Sequence, residues 1–252
     1  MRNFHSIANT IALFHIPTNQ FLGSGFIFRG SRTLLTANHC VGELKAHEII
    51  VQVLVTNNRS YRVTEIIKNP TADIAILRVD GIDEREIGFP KYKLFDDRAY
   101  GIEVMACGFP EETYLKKPVP TARVFRGHVQ RFVNYKSHLG YEYLAAELSF
   151  RCPGGLSGGP VFNPEFPGRT YGLITENIRT STILDSIEEV EKDGKVYREH
   201  YENIIYYGIA LWLPALDDWI DSIVPPISGE EQNRWGKLQR KLEEEERKAK
   251  KK

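Results

Sequence analysis

The sequence predicts an all-β protein with two series of short strands, divided by a polar linker and followed by a C-terminal helix. Three observations carry this. Ile49, Val51, Val53 and Val55 alternate with their neighbours at the period of two expected of a half-buried strand, and comparable apolar runs recur along the chain. The stretch from Asp80 to Gly101 interrupts them with Asp83-Glu84-Arg85-Glu86, Pro90 and Asp96-Asp97-Arg98. From Pro214 to Val224 the period changes, because Leu216, Trp219, Ile220 and Ile223 recur at helical spacing, with Pro at the start and Pro225-Pro226 beyond the end.

Taken in order, the first series comprises Ile11 to Ile16, Phe21 to Phe28, Thr33 to Thr36, Ile49 to Thr56, Tyr61 to Ile67 and Ile74 to Val79, with Asn57-Asn58 suited to a hairpin turn. Six strands ahead of a linker are enough for one small barrel. The second series comprises Ile102 to Cys107, Ala122 to Tyr135, Tyr141 to Phe150, Gly159 to Phe162, Tyr171 to Thr175 and Ile204 to Leu213. Between the last two, Asn177 to Asn203 is strongly charged and reads as a solvated surface hairpin of Ile187 to Val190 and Val196 to Tyr201 turning at Lys192-Asp193-Gly194-Lys195, with an overhang of the substrate cleft as the competing reading. From Ser228 onward, Ser228-Gly229-Glu230-Glu231 resembles a capping box, and Trp235, Leu238 and Leu242 form a narrow apolar stripe. That stripe suits docking on the body or on a regulatory protein partner through 228–252, and a solvated helix is the competing reading.

Composition bounds the function. With 252 residues, 42% hydrophobic and 26% charged, the chain is long enough for a substantial core. Net charge is +0, from 33 basic and 33 acidic residues, which argues against nucleic acid as the main partner. No membrane span is expected. The N-terminus lacks the uninterrupted apolar run of an export signal, since Asn9, Thr10 and His15 break the nearest candidate. The three cysteines, Cys40, Cys107 and Cys152, have no metal-ligand spacing with another Cys or His, so neither a metal nor another cofactor is expected. These features point to a cytoplasmic protein.

The stretch Cys152-Pro153-Gly154-Gly155-Leu156-Ser157-Gly158-Gly159-Pro160-Val161 is a glycine turn presenting one serine. Its Gly155 and Ser157 amides could converge on one point as an oxyanion hole. A serine is a poor nucleophile without a base, and the base needs an orienting group. Upstream stand His39, in Thr36-Ala37-Asn38-His39-Cys40, and Asp73, in Asp73-Ile74-Ala75-Ile76-Leu77. These three motifs, in this order, resemble those of the chymotrypsin/trypsin clan of serine proteases. Gly155-Leu156-Ser157-Gly158-Gly159 also fits the α/β-hydrolase elbow, but that elbow needs a helix after the serine and a histidine downstream. Gly159-Pro160 starts a helix poorly, and His200 lies in a charged segment.

The resemblance covers roughly Ile11 to Val224 and implies two six-stranded antiparallel β-barrels of chymotrypsin-like fold with a C-terminal helix. Residues 1–88 would carry His39 and Asp73, 89–226 would carry Ser157, and 227–252 would be a charged helical tail. It implies a serine endopeptidase acting on protein or peptide substrates through an acyl-enzyme, with His39 as base and Asp73 holding its tautomer. Thr175 falls where the family places a hydroxyl bonded to the catalytic carboxylate. Arg151 falls at the base of the primary specificity pocket, and Thr175, Glu176, Asn177 and Gly208 would form its walls. Two readings of Arg151 stand: it pairs internally, with Glu176 the natural partner, or it receives an acidic substrate side chain. Leu156 replaces the Asp used by members activated through a new N-terminus, so that switch is not expected. Gly23-Ser24-Gly25-Phe26 and an unbridged Cys40 are more similar to the bacterial HtrA-like branch, without the peptide-binding domain appended there. The opposing class is a latent or noncatalytic binding module on the same fold, controlled by a partner.

Overall fold

The computed structural model describes residues 9–53, 59–82, 93–94, 98–111, 121–165, 169–190 and 196–249. Six strands close the first barrel: β1 (Thr10–His15), β2 (Gln20–Ile27), β3 (Thr33–Thr36), β4 (Ile49–Val53), β5 (Arg59–Lys68) and β6 (Ala75–Val79), in the order β1-β2-β3-β6-β5-β4. The alternation in β4 is real, with Ile49, Val51 and Val53 fully buried and the residues between them half-buried. These side chains fill the barrel with Ile11, Leu13, Ile27, Leu34 and Leu77. β3 does not alternate, because all four of its residues are buried. Its second face, with Phe26, Phe28, Ile74 and Ile76, packs on the other half of the molecule.

That half contains β7 (Lys93–Leu94), β8 (Glu103–Gly108), β9 (Arg123–Lys136), β10 (Glu142–Leu148), β11 (Pro160–Phe162), β12 (Arg169–Val190) and β13 (Val196–Trp212). The sheet order is β11-β8-β9-β10-β13-β12-β7. β11 also pairs with β12, Val161 opposite Gly172, so the ring from β11 round to β12 closes as a second antiparallel barrel. The two-residue β7 adds to β12 in parallel and was not anticipated. Val104, Ala106, Val129, Leu148, Leu156, Tyr171 and Trp212 fill this barrel. A separate cluster joins the barrels, in which Phe26, Leu35 and Ile74 meet Tyr143, Leu173, Ile209 and Leu211. Each fully buried side chain there is worth about 1.5–3 kcal/mol, so the interface is built like a core.

The hairpin expected within 177–203 is present, and its strands run on without a break from two strands of the barrel. β12 and β13 pair without leaving the ladder from Gly172↔Trp212 to Val190↔Val196, with register shifts at Ile174/Glu176 and Ile183/Asp185. Charge in this stretch masked a strand pattern that β-branched residues sustain, as in Thr180-Ser181-Thr182-Ile183. The turns expected at Asn57-Asn58 and Lys192–Lys195, and the 88/89 boundary, lie outside the described residues.

Three α-helices complete the described fold: α1 (Asn38–Val41), α2 (Asp217–Ile223) and α3 (Gly229–Ala249). A 3-10 turn at Leu213–Leu216, begun by Pro214, leads into α2. Both later helices return to the first barrel. Arg29, its side chain 4% exposed, reaches Asp221 at 2.5 Å and the Val224 carbonyl, and Arg78 donates to the Ile223 carbonyl at 2.7 Å. Ser228 caps α3 through the Glu231 amide, and Trp235 packs, 2% exposed, into the first barrel's cluster with Leu238 at its edge. The tail therefore docks on the body.

Candidate active site

His39 sits on α1, a single turn that begins where β3 ends and is closed by Cys40 N–H to Ala37 O and Gly42 N–H to Asn38 O. Asp73 lies on the loop entering β6. Asn69 shapes that loop, its Oδ1 accepting from the Thr71 amide at 2.9 Å and the Ala72 amide at 2.8 Å. The turn leaves the Asp73 side chain 3% exposed, with Oδ2 at 2.6 Å from His39 Nδ1. Oδ1 accepts from the His39 backbone amide at 2.9 Å, so one carboxylate fixes both the ring and its backbone. Burial pulls the His39 pKa down, but hydrogen bonds from the imidazole to the Asp73 and Cys40 side chains outweigh it and raise the value to about 10.

Ser157 comes from the facing barrel. Its carbonyl accepts from the Ser24 amide at 2.9 Å and from Cys40 Sγ at 3.5 Å, which seats the serine loop beside the His39 turn. Its hydroxyl donates to the Thr175 carbonyl at 3.2 Å. A hydroxyl has one proton, so in this arrangement the proton points to strand β12. Gly158 follows at φ 83 with no room for a side chain, since an added Cβ would lie 2.1 Å from Ser24 O and 2.4 Å from Thr36 Oγ1.

The turn before Ser157 is closed by Leu156 N–H to Pro153 O at 3.1 Å, with Gly155 at φ 88 in its third position, as a type II turn requires. The Glu111 amide holds the Gly154 carbonyl at 2.8 Å. In a trans peptide the carbonyl and the next N–H point opposite ways, so this bond aims the Gly155 amide away from Glu111. Ser24 fixes the other side of the turn: its hydroxyl donates to Gly155 O at 2.7 Å and accepts from Phe109 N–H at 2.9 Å. Among the described residues, no carbonyl accepts from the Gly155 or Ser157 amide.

Several expectations need correction. The Thr175 hydroxyl does not serve Asp73; it donates to Ile209 O at 3.2 Å and accepts from Tyr143 at 3.0 Å, the register shift at this point having turned it into the inter-barrel core. Arg151 is neither buried nor paired with Glu176. It is exposed and stacks on Tyr206, 4.5 Å from the ring centroid, because the extended β12–β13 ribbon supplies an aromatic face there. Glu176 pairs with His138 at 2.8 Å. Asn177 bridges back to the Cys152 backbone, accepting from its amide at 2.7 Å and donating to its carbonyl, while Gly208 packs against Cys152 and donates to Phe150 O at 2.8 Å. Burial pushes the Cys152 thiol up, so it stays protonated. Sequence reasoning missed Ser24, Tyr143 and Glu111 as positioning groups. For Ser24 a signal existed, a lone hydroxyl between two glycines inside an apolar strand.

Two barrels with a His–Asp pair on one and a glycine-framed serine on the other define a class. The trypsin-like peptidase domain profile matches residues 23–173, and the chain belongs to that family. A probable periplasmic serine endoprotease, DegP-like, of Pseudomonas putida is 30% identical over 195 residues, covering 71% of this chain and 37% of that protein. The chain thus spans little more than a third of the length of this relative. Among solved structures, the active form of the Rv3671c protease of M. tuberculosis superposes with a TM-score of 0.58 at 14% identity, over 88% of this chain and 83% of that one. The HtrA-type protease AlgW with tripeptide gives 0.58 at 19% identity, over 87% and 61%. Both share the fold.

Proposed function

We propose that the chain is a serine endopeptidase acting on protein or peptide substrates. Ser157 Oγ attacks the scissile carbonyl while His39 takes its proton; the C–N bond then breaks as His39 returns that proton to the leaving amine, and water releases the acyl group from Ser157 by the same steps. The amides of Gly155 and Ser157 receive the oxyanion, each worth about 3–4 kcal/mol by the measure of oxyanion-hole substitutions. The observation that carries this reading is the double hold of Asp73 on His39, 2.6 Å to the ring and 2.9 Å to the backbone, on the turn that touches Ser157. Labelling with a fluorophosphonate tests it: an adduct on Ser157, absent in Ser157→Ala and His39→Ala, is the expected outcome. No adduct in the folded wild type overturns it.

One observation favours a latent form. Ser157 donates to Thr175 O, so attack requires its hydroxyl to turn toward His39. A protonated His39 cannot accept that proton, and its raised pKa supports the resting state. Labelling that is slow at neutral pH and fast at alkaline pH distinguishes latency from a noncatalytic module, which stays unlabelled throughout. A regulatory partner at 228–252 would meet the charged side of α3, because Trp235 is already taken by the first barrel. A reducing compartment is supported by the three free thiols, whereas the P. putida relative is described as periplasmic; fractionation of the expressed full chain decides. Among the described residues, no helix is long and apolar enough to cross a membrane.

A further inference from the structure

Both hydrogen bonds that the Asp73 carboxylate accepts among the described residues come from His39, so the pair is held together without any group of the second barrel. The hydroxyl expected to tie it there, that of Thr175, is turned into the core. Ser157 stands on the second barrel, and proton transfer needs His39 placed against it to a fraction of an ångström. Something other than the pair's own bonds must set that register. The tip of the β9–β10 hairpin reaches across to the first barrel at two consecutive residues. Asn38, immediately before His39, donates from Nδ2 to the Tyr141 hydroxyl at 2.8 Å, and the Glu142 amide donates to Thr71 O at 3.0 Å, on the loop that carries Asp73.

The hairpin is stiff at this point. Gly140 N–H to Ser137 O at 3.0 Å closes its turn, Gly140 takes φ 88, and Ser137 N–H to Tyr141 O at 2.9 Å resumes the ladder, which makes a three-residue loop ending in a left-handed glycine. The Ser137 hydroxyl then accepts from the Tyr141 amide at 3.1 Å, and the Tyr141 ring packs on the inter-barrel cluster. By contrast α1 is a single turn of four residues, too short to hold itself. Lys68 Nζ ties its end at Gly42 O from within the first barrel. From the second barrel it receives the long Cys40 Sγ contact to Ser157 O and the Asn38–Tyr141 bond. Asn38 is 5% exposed, so its amide has little water to replace the phenol. Burial and the Asp73 charge raise the Tyr141 phenol, which keeps it neutral. Resting on the reading of Ser157 as the nucleophile, we propose that Tyr141 is a positioning residue: through Asn38 its hydroxyl registers the His39 turn of the first barrel against the serine of the second.

Tyr141→Phe removes the hydroxyl and leaves the ring in place. Fluorophosphonate labelling at Ser157, followed across pH, should keep its midpoint, because Asp73 still holds His39 at both atoms, while its limiting rate falls about tenfold or more. Asn38→Ala breaks the same bond from the other side and should do likewise, and the double variant should be no slower than the slower single, since one bond is lost only once. In Ser157→Ala protein, amide hydrogen exchange at Cys40 and Gly42, whose bonds close α1, should quicken about tenfold on adding Tyr141→Phe, with exchange in β10 unchanged. An unchanged limiting rate, a loss explained by a shifted midpoint alone, additive single effects, or unchanged exchange at Cys40 and Gly42 overturns the proposal. A wild type that takes no label overturns the nucleophile reading instead, and the exchange measurement then decides by itself whether Tyr141 holds the turn.

Discussion

His39 is held by one carboxylate at two atoms, and the consequence is a pH dependence of opposite sign for activity and for stability. Its folded pKa lies above the unfolded value of about 6.5. The charged pair with Asp73 therefore stabilises the fold in full below about pH 6.5 and loses that contribution as pH rises through the folded value. Turnover runs the other way, since only neutral His39 accepts a proton. The acid limb of kcat/KM should lie well above pH 6.5, and the Tm advantage of wild type over His39→Gln should shrink as pH climbs; a limb centred at 6.5 would contradict the raised value. At Ser24, buried and bonded on both sides, Ser24→Ala leaves the Gly155 carbonyl and the Phe109 amide without their partner. That costs about 1–3 kcal/mol, and kcat should fall more than KM rises, because the turn proposed to receive the oxyanion loses its anchor. The three motif residues, Ser157, His39 and Asp73, were legible because each sits in a recognisable local pattern. Thr175 was misread because a one-residue register shift redirects a side chain, and sequence alternation does not reveal where a strand bulges.

At the scale of elements, periodicity located the strands of both barrels to within a few residues, since each barrel needs one apolar face per strand. The β12–β13 ribbon was cut short because charged residues such as Glu188-Glu189 and Arg198-Glu199 are interspersed among its apolar ones, so the alternation fades in the sequence. The tail was open to two readings because a stripe of three apolar residues says nothing of what covers it. Trp235 is covered by the first barrel, and Trp235→Ala should cost about 3–5 kcal/mol, lowering Tm by roughly 10 °C in a chain of this size. Scanning calorimetry checks this, and an unchanged Tm would mean that α3 undocks in solution.

For the whole molecule, the barrels are joined by an apolar interface and by arginines that reach from the first barrel to the helix after the second. Arg29→Met removes the pairing to Asp221 and to the Val224 carbonyl. Asp221 keeps contact with water, so the loss should be about 1–3 kcal/mol, below the figure for a fully enclosed pair. Denaturant unfolding followed separately by a probe in each barrel should show the two transitions drifting apart in Arg29→Met; a single shared transition at the wild-type midpoint would show the clamp to be idle.

The docking of α3 on the first barrel also sets the order of events during translation. Strands β1 to β6 leave the ribosome long before Trp235 does, yet Trp235 is part of their cluster. The nascent first barrel therefore emerges without its seal and waits through synthesis of the second. Until residues 229–249 have emerged, that cluster stays open at the Trp235 position. Pulse proteolysis of chains stalled before and after that point reads the difference: the first barrel should be cut faster in the shorter chain.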